Sequence, residues 1–208
     1  MSGDGLSARS SLTLLCFLRE VVGSLESKPS AAHALPWDIM DTELLSDAFG
    51  RISAAVHSAL REASIDVLTF RVDPAANTMA WLIWHLTRVQ DDHIADLVGE
   101  EQLWTAEGWV GRFDLPFDPE ATGYGQSAGD VAAVRAEAEL LAGYYDAVQA
   151  RTIDFLHTLT EADFARIVDT SWDPPVTLAV RLVSILSDDL QHAGQASYIR
   201  GLATRAGL

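Results

Sequence analysis

Apolar residues recur at helical spacing in four stretches of the chain. From Asp41, whose side chain suits an N-cap, the positions Leu44, Leu45, Ala48, Phe49, Ile52, Val56 and Leu60 share one face and predict a first helix ending near Ala63. A connection with Pro74 follows, and Asn77 is the expected cap of a second helix over 78–97. That helix is apolar around most of its circumference at first and acidic later, so it is expected at the centre of the fold. Ser127-x-x-Asp130 has the form of a capping box and opens a third helix to about Thr158, its stripe running through Val131, Val134, Leu141, Tyr144, Tyr145, Val148, Ile153 and Leu156. Thr160-x-x-Asp163 predicts a short helical turn. Trp172-Asp-Pro-Pro-Val-Thr177 then breaks the chain, and Thr177 caps a fourth helix through Leu178, Leu182, Ile185 and Leu186 to Gly201.

No strand-like alternation, internal repeat or phosphate-binding glycine loop competes with this reading. Four amphipathic helices predict an all-α, four-helix bundle. The links between helices one and two, and between three and four, predict antiparallel neighbours. Residues 98–126, rich in glycine and proline and carrying Trp104, Trp109, Phe113 and Phe117, are long enough to cross the whole bundle as a lid or crossover. The expected topology is up-down-down-up, with a long crossover between helices two and three. The bundle is assigned to 40–208. Residues 1–39 read as an N-terminal extension of uncertain structure: Ser11–Leu18 is apolar, but its flanks and the lack of a cleavage site argue against a signal peptide.

The fourth helix carries candidate chemistry on its inward turn. Asp188 and His192, spaced i,i+4, stand roughly 40° apart on one face, and Gln195 falls near the same stripe. In the expected topology helices two and four run antiparallel. His85 would then lie ~12 Å and His192 ~14 Å from the same end of the bundle. Two imidazoles and a carboxylate suit zinc with an open fourth position, and equally iron(II) or nickel. Asp189 competes with Asp188, since i,i+3 spacing to His192 also permits ligation, and whichever carboxylate is not a ligand can orient His192. The bland alternative is a hydrogen-bonded core histidine beside a common Asp-x-x-x-His accident. His93, between Asp92 and Ile94, reads as a solvated or pairing residue near a helix end, and Asp92 as a solvated acid at the rim. His57 has no carboxylate at ligand spacing, and His157 lies near the end of the third helix.

Composition narrows the classes. Acidic residues outnumber basic ones by 30 to 14 for a net charge of −16, which opposes binding to nucleic acid or anionic membranes. No apolar run reaches the ~20 residues of a membrane span. One cysteine, Cys16, excludes an intramolecular disulfide and a cysteine-rich zinc motif, and fits a reducing cytoplasm.

Three segments resemble the DinB-like superfamily: Asn77-Thr-Met-Ala-Trp-Leu-Ile-Trp-His-Leu-Thr-Arg, Gly123-Tyr-Gly-Gln-Ser, and Asp188-Asp-Leu-Gln-His-Ala-Gly-Gln-Ala-Ser-Tyr-Ile-Arg-Gly. That group includes the DUF664 proteins, the metal-binding domain of mycothiol-dependent maleylpyruvate isomerase, and the bacillithiol and mycothiol S-transferases. The resemblance spans roughly residues 41 to 203. It implies a divalent metal, most often zinc, with nickel or iron as alternatives, on His85, Asp188 and His192, with Gln195 and Asp189 supporting the ligands. Asp188 stands where the family commonly has histidine, as in the isomerase branch. The resemblance also implies activation of a low-molecular-weight, mycothiol-like thiol toward a small electrophile, by S-transfer or isomerisation, in a pocket expected to include Trp81, Trp104, Trp109 and Trp172. The rival readings are a non-catalytic metal- or ligand-binding bundle with a stress or regulatory role, and a metal-assisted hydrolase. A homodimer is compatible with such a bundle, although no segment of the sequence marks its interface.

Overall fold

The computed structural model describes residues 40–208, and the readings of residues 1–39, Cys16 included, lie outside them. The described chain is mostly helical. Its four long helices are α1 (Met40–Leu60), α3 (Met79–Val98), α7 (Ala138–Thr158) and α8 (Leu178–Arg205). Short helices occupy the connections: α2 (Ile65–Leu68), α4 (Leu103–Ala106), α5 (Trp109–Phe113) and α6 (Ala128–Ala133). None of the described helices is long and apolar enough to cross a membrane.

The central helix is α3. Thr78, one residue after the expected Asn77, is its N-cap and accepts from the Trp81 amide at 3.1 Å; Gly99 ends it in the left-handed region at φ 72°. Nearly every α3 side chain is buried, because α3 packs against both α7 and α8 and the crossover covers it further. The main partners of α1 are the same two helices. The pairs joined by the shorter links, α1 with α3 and α7 with α8, are therefore not principal packing partners, contrary to expectation. Residues 61–78 and 159–177 contain a helical turn and a hairpin, enough chain to reach past the adjacent position. Side-chain pairs give the directions. His85 meets His192 and His93 meets Arg181, so α3 and α8 run antiparallel; Arg88 meets Tyr144 and Gln90 meets Thr152, so α3 and α7 run parallel.

Two further expectations are corrected. The third helix is interrupted at Val134–Glu137, where Val134 has φ −75° and ψ 94°. No glycine or proline marks the break; burial of Val134 and Ala136 in extended backbone outweighs local helix propensity. A two-stranded antiparallel sheet, β1 (Ile167–Asp169) with β2 (Val176–Thr177), precedes α8, and strands this short carry no readable alternation. The expected capping box forms at Ser127/Asp130, and the helical turn expected at Thr160-x-x-Asp163 is the 3-10 turn Glu161–Ala165, with Asp163 accepting from the Thr160 amide at 2.8 Å. Leu44, expected on the apolar stripe of the first helix, is instead exposed.

His93 is not solvated. It is buried, accepts from Arg181 Nη1 at 2.8 Å, and so joins α3 to α8, while Arg181 Nη2 donates to Asp169 of β1 at 2.9 Å. Burial, helped by the Arg181 charge, lowers the His93 pKa to about 3. An unfolded histidine titrates near ~6.5. Above that pH neither state is protonated; as pH falls from there toward 3 the unfolded state takes up a proton that the folded state refuses, and stability is lost across that window. His93→Gln keeps an acceptor for Arg181 without a titrating group. Its melting temperature is expected to fall less than that of wild type between pH 7 and pH 4; identical pH profiles would exclude this role for His93.

Candidate metal centre

The first ligand position is prepared by the crossover. His85 is buried on α3, one turn after Trp81, whose indole stacks on it with ring centroids 4.6 Å apart and planes 18° from parallel. Nδ1–H of His85 donates to the Thr122 carbonyl, so Nε2 carries the lone pair. Burial first, and His192 second, pull the His85 pKa down to about 3 against the opposing Thr122 carbonyl. The imidazole is thus neutral at ordinary pH, the form that ligates. Gly123, at φ +110°, lets this loop approach: a Cβ there would lie inside contact distance of the imidazole.

Segment 99–126 is itself held by α3 through a buried polar network. Arg88, fully buried, donates to the carbonyls of Ala121 at 3.2 Å and Pro119 at 3.3 Å, and to Gln102 Oε1 at 2.6 Å. Its charge is balanced by Asp91, 3.8 Å away, which also accepts from the amides of Leu103 and Trp104 and from the Tyr144 hydroxyl at 2.8 Å. Gln102 donates to Asp92, which is half-buried rather than solvated. The chain from Arg88 through Ala121 to Thr122 therefore sets the orientation of His85.

On α8, the spacing places Asp188 and His192 one turn apart facing α3. Nδ1–H of His192 donates to Gln195 Oε1 at 2.9 Å, again leaving Nε2 as the lone-pair nitrogen, and that nitrogen lies 3.6 Å from Asp188 Oδ1. The His85 and His192 rings stand 4.9 Å apart. One potential ligand atom from each of His85, Asp188 and His192 lies within 4.8 Å of the others. Ligand atoms around one zinc stand roughly 3.4 Å apart, so rotamer-scale movement closes the set. Asp188 Oδ2 is buried with no partner, and burial raises the Asp188 pKa against the pull of His192. An orphaned carboxylate oxygen beside two oriented imidazoles is the donor set a divalent cation would satisfy.

Beside these residues is a cavity of about 380 Å³ whose lining includes Asn77, Trp81, Tyr124, Gln126, Ser187 and Gln191. Trp81 Nε1 donates to Gln126 Oε1 at 2.6 Å, and Tyr124 stands edge-on to His85. Residues 48–196 match the family model of the DinB superfamily. The chain belongs to that superfamily. A solved structure described as a conserved protein from Enterococcus faecalis is similar at 31% identity and a TM-score of 0.72, covering 77% of this chain and 95% of that one. No curated protein matches.

Within this DinB-superfamily fold, His85, Asp188 and His192 come together, and Gln195 touches His192. Asp189 does neither: it is fully buried, both its oxygens lack partners, and its pKa is raised well above the usual range by burial and by Asp188. The role of orienting His192 falls to Gln195. Of the four tryptophans expected in the pocket only Trp81 lines it. Trp104 and Trp109 pack instead on Tyr144, and Trp172 lies in the hairpin turn. Sequence reasoning missed Thr122, Tyr124, Gln126 and Arg88, although Gly123-Tyr-Gly-Gln126 carried a signal in its paired glycines. His57, which has no carboxylate at ligand spacing along its own helix, pairs across the helices with Asp146 at 2.8 Å.

Gly123→Ala is expected to weaken zinc binding by about 10-fold or more, because the added methyl must push either the loop or the imidazole out of place. Zinc titration against a chromophoric chelator reads this directly, and unchanged affinity would show that the tight approach is not needed.

Proposed function

We propose that the chain is a metal-dependent enzyme, built as an up-down-down-up four-helix bundle, that activates a low-molecular-weight thiol for S-transfer or isomerisation. The antiparallel α3/α8 and parallel α3/α7 contacts support the topology. The observation that carries the metal reading is the convergence of His85, Asp188 and His192, each imidazole fixed in the tautomer that leaves Nε2 free. Three protein ligands beside a cavity are the pattern of a catalytic rather than a closed structural site. Bound there, a divalent cation such as zinc, nickel or iron(II) would keep one net positive charge after the carboxylate's, and would lower the pKa of a thiol or water entering its open position.

The surrounding residues determine what enters. Asn77, Gln126, Ser184, Ser187 and Gln191 offer neutral hydrogen-bonding groups, and the lining holds no lysine or arginine, so it is suited to a polar, uncharged body rather than to a phosphate. Trp81 gives one apolar wall and, tied to Gln126, cannot swing away. The thiol proposed for this reaction is that of the co-substrate, the residues lining the cavity including no cysteine. Metal analysis of untagged protein, followed by assay of mycothiol consumption with model electrophiles, tests the proposal. About one divalent ion per chain with thiol turnover supports it; metal without turnover across several electrophiles points to the non-catalytic binding bundle, and hydrolysis without thiol to the hydrolase.

A further inference from the structure

Each histidine of the candidate centre has a partner that orients it, and the carboxylate has none. The Thr122 carbonyl accepts from His85 and Gln195 Oε1 from His192, whereas Asp188 Oδ2 is buried without a hydrogen bond among the described residues. A carboxylate that gives one oxygen to a cation leaves the other in need of a donor, and ligating carboxylates are as a rule hydrogen-bonded in this way. Neither imidazole can supply that donor, because both Nδ1–H groups already have acceptors. Among the residues lining the cavity, one further side-chain atom is buried without a partner, the hydroxyl of Tyr124.

The crossover backbone is built to present this residue. Gly123 and Gly125, on either side of it, have φ of 110° and 72°, in the left-handed region that residues with a Cβ rarely adopt. The phenol ring stands edge-on to His85 with centroids 5.1 Å apart. Burial first, and then the charges of Asp188, Asp189 and Asp92 in that order, raise the Tyr124 pKa, so the hydroxyl keeps its proton and is a donor at ordinary pH. After burial, Asp189 is instead the leading influence on Tyr145 of α7, which leaves Asp188 as the carboxylate that Tyr124 serves.

We propose that Tyr124 is a positioning residue of the metal centre, its hydroxyl donating to one oxygen of Asp188 when the other takes up the cation. The inference rests on the metal reading of this site. With it, every ligand has its own orienting partner, and the crossover supplies two of the three, from Thr122 and Tyr124. It also accounts for a hydroxyl that is buried without an acceptor in the metal-free protein.

Tyr124→Phe tests this in the full chain, since it keeps the ring beside His85 and removes only the hydroxyl. Zinc titration against a chromophoric chelator is expected to show affinity lower by about 10-fold, the usual effect of freeing a ligand's orienting partner. The melting temperature without metal should be no lower than that of wild type, because a donor without an acceptor adds nothing to the metal-free fold. The visible bands of the cobalt(II)-loaded protein should shift, since the carboxylate is no longer held. An unchanged cobalt spectrum overturns the proposal, as does a metal-free melting temperature well below that of wild type, which would place the hydroxyl's role in the fold. Wild type and Tyr124→Phe binding zinc equally well overturns this inference alone, whereas a wild type that binds no zinc overturns the metal reading with it.

Discussion

Replacing His192 with alanine is expected to take bound zinc from about one ion per chain to nearly none, and to abolish the rise in melting temperature that zinc gives the wild type. At a free metal concentration 100 times Kd that rise corresponds to ~2.7 kcal/mol. His192 is the cleanest of the three ligands to remove. Its ring is partly exposed and its one strong partner is Gln195 on its own helix, so truncation leaves no large void. His85→Ala would confound the result, since it strips the stacking surface from Trp81 and leaves the buried Thr122 carbonyl without its donor. Asp188→Asn keeps the shape and removes the charge, and should weaken binding while leaving the fold intact. Gln195→Ala should cost about 10-fold, the usual effect of freeing a ligand's orienting partner. Equal metal content in His192→Ala and wild type would remove the site altogether.

The sequence made the helices on either side of the site legible for physical reasons. Asp188 and His192 are local, fixed by the pitch of one helix, and His85 could be set at their level because rise per residue is constant. The antiparallel run of α3 against α8 bears this out in the pairs His85/His192 and His93/Arg181. Non-local relations were not legible. Nothing local distinguishes Asp188 from Asp189, yet one reaches His192 and the other is buried without a partner, because only their 100° separation on the helix decides which faces α3. The aromatic crossover was expected at the pocket, but burial of Trp104 and Trp109 against Tyr144 stabilises the loop's attachment instead. The part of the crossover that does reach the site, Thr122 to Gln126, contributes a carbonyl, a glycine and a phenol, groups whose roles depend wholly on where the loop is anchored.

That anchoring is the second large effect. Arg88→Met is expected to destabilise the protein by roughly 3 kcal/mol, seen as a drop of roughly 10 °C in melting temperature for a domain of this size. The side chain is fully buried, and methionine fills its volume but replaces none of its bonds to Ala121, Pro119 and Gln102. Asp91 would be left buried opposite an apolar group. The loss should fall at the low end of the range for a broken buried pair, because the amides of Leu103 and Trp104 and the Tyr144 hydroxyl still solvate that carboxylate, and Arg151 lies 3.9 Å from it. Site chemistry should respond as well. With Ala121 released, the Thr122 carbonyl no longer holds Nδ1 of His85, so zinc affinity measured well below the melting temperature should fall although no ligand has been touched. A pure packing role for Arg88 would lower the melting temperature and leave that affinity alone; a melting temperature within 2 °C of wild type would show that the buried network does not anchor the crossover.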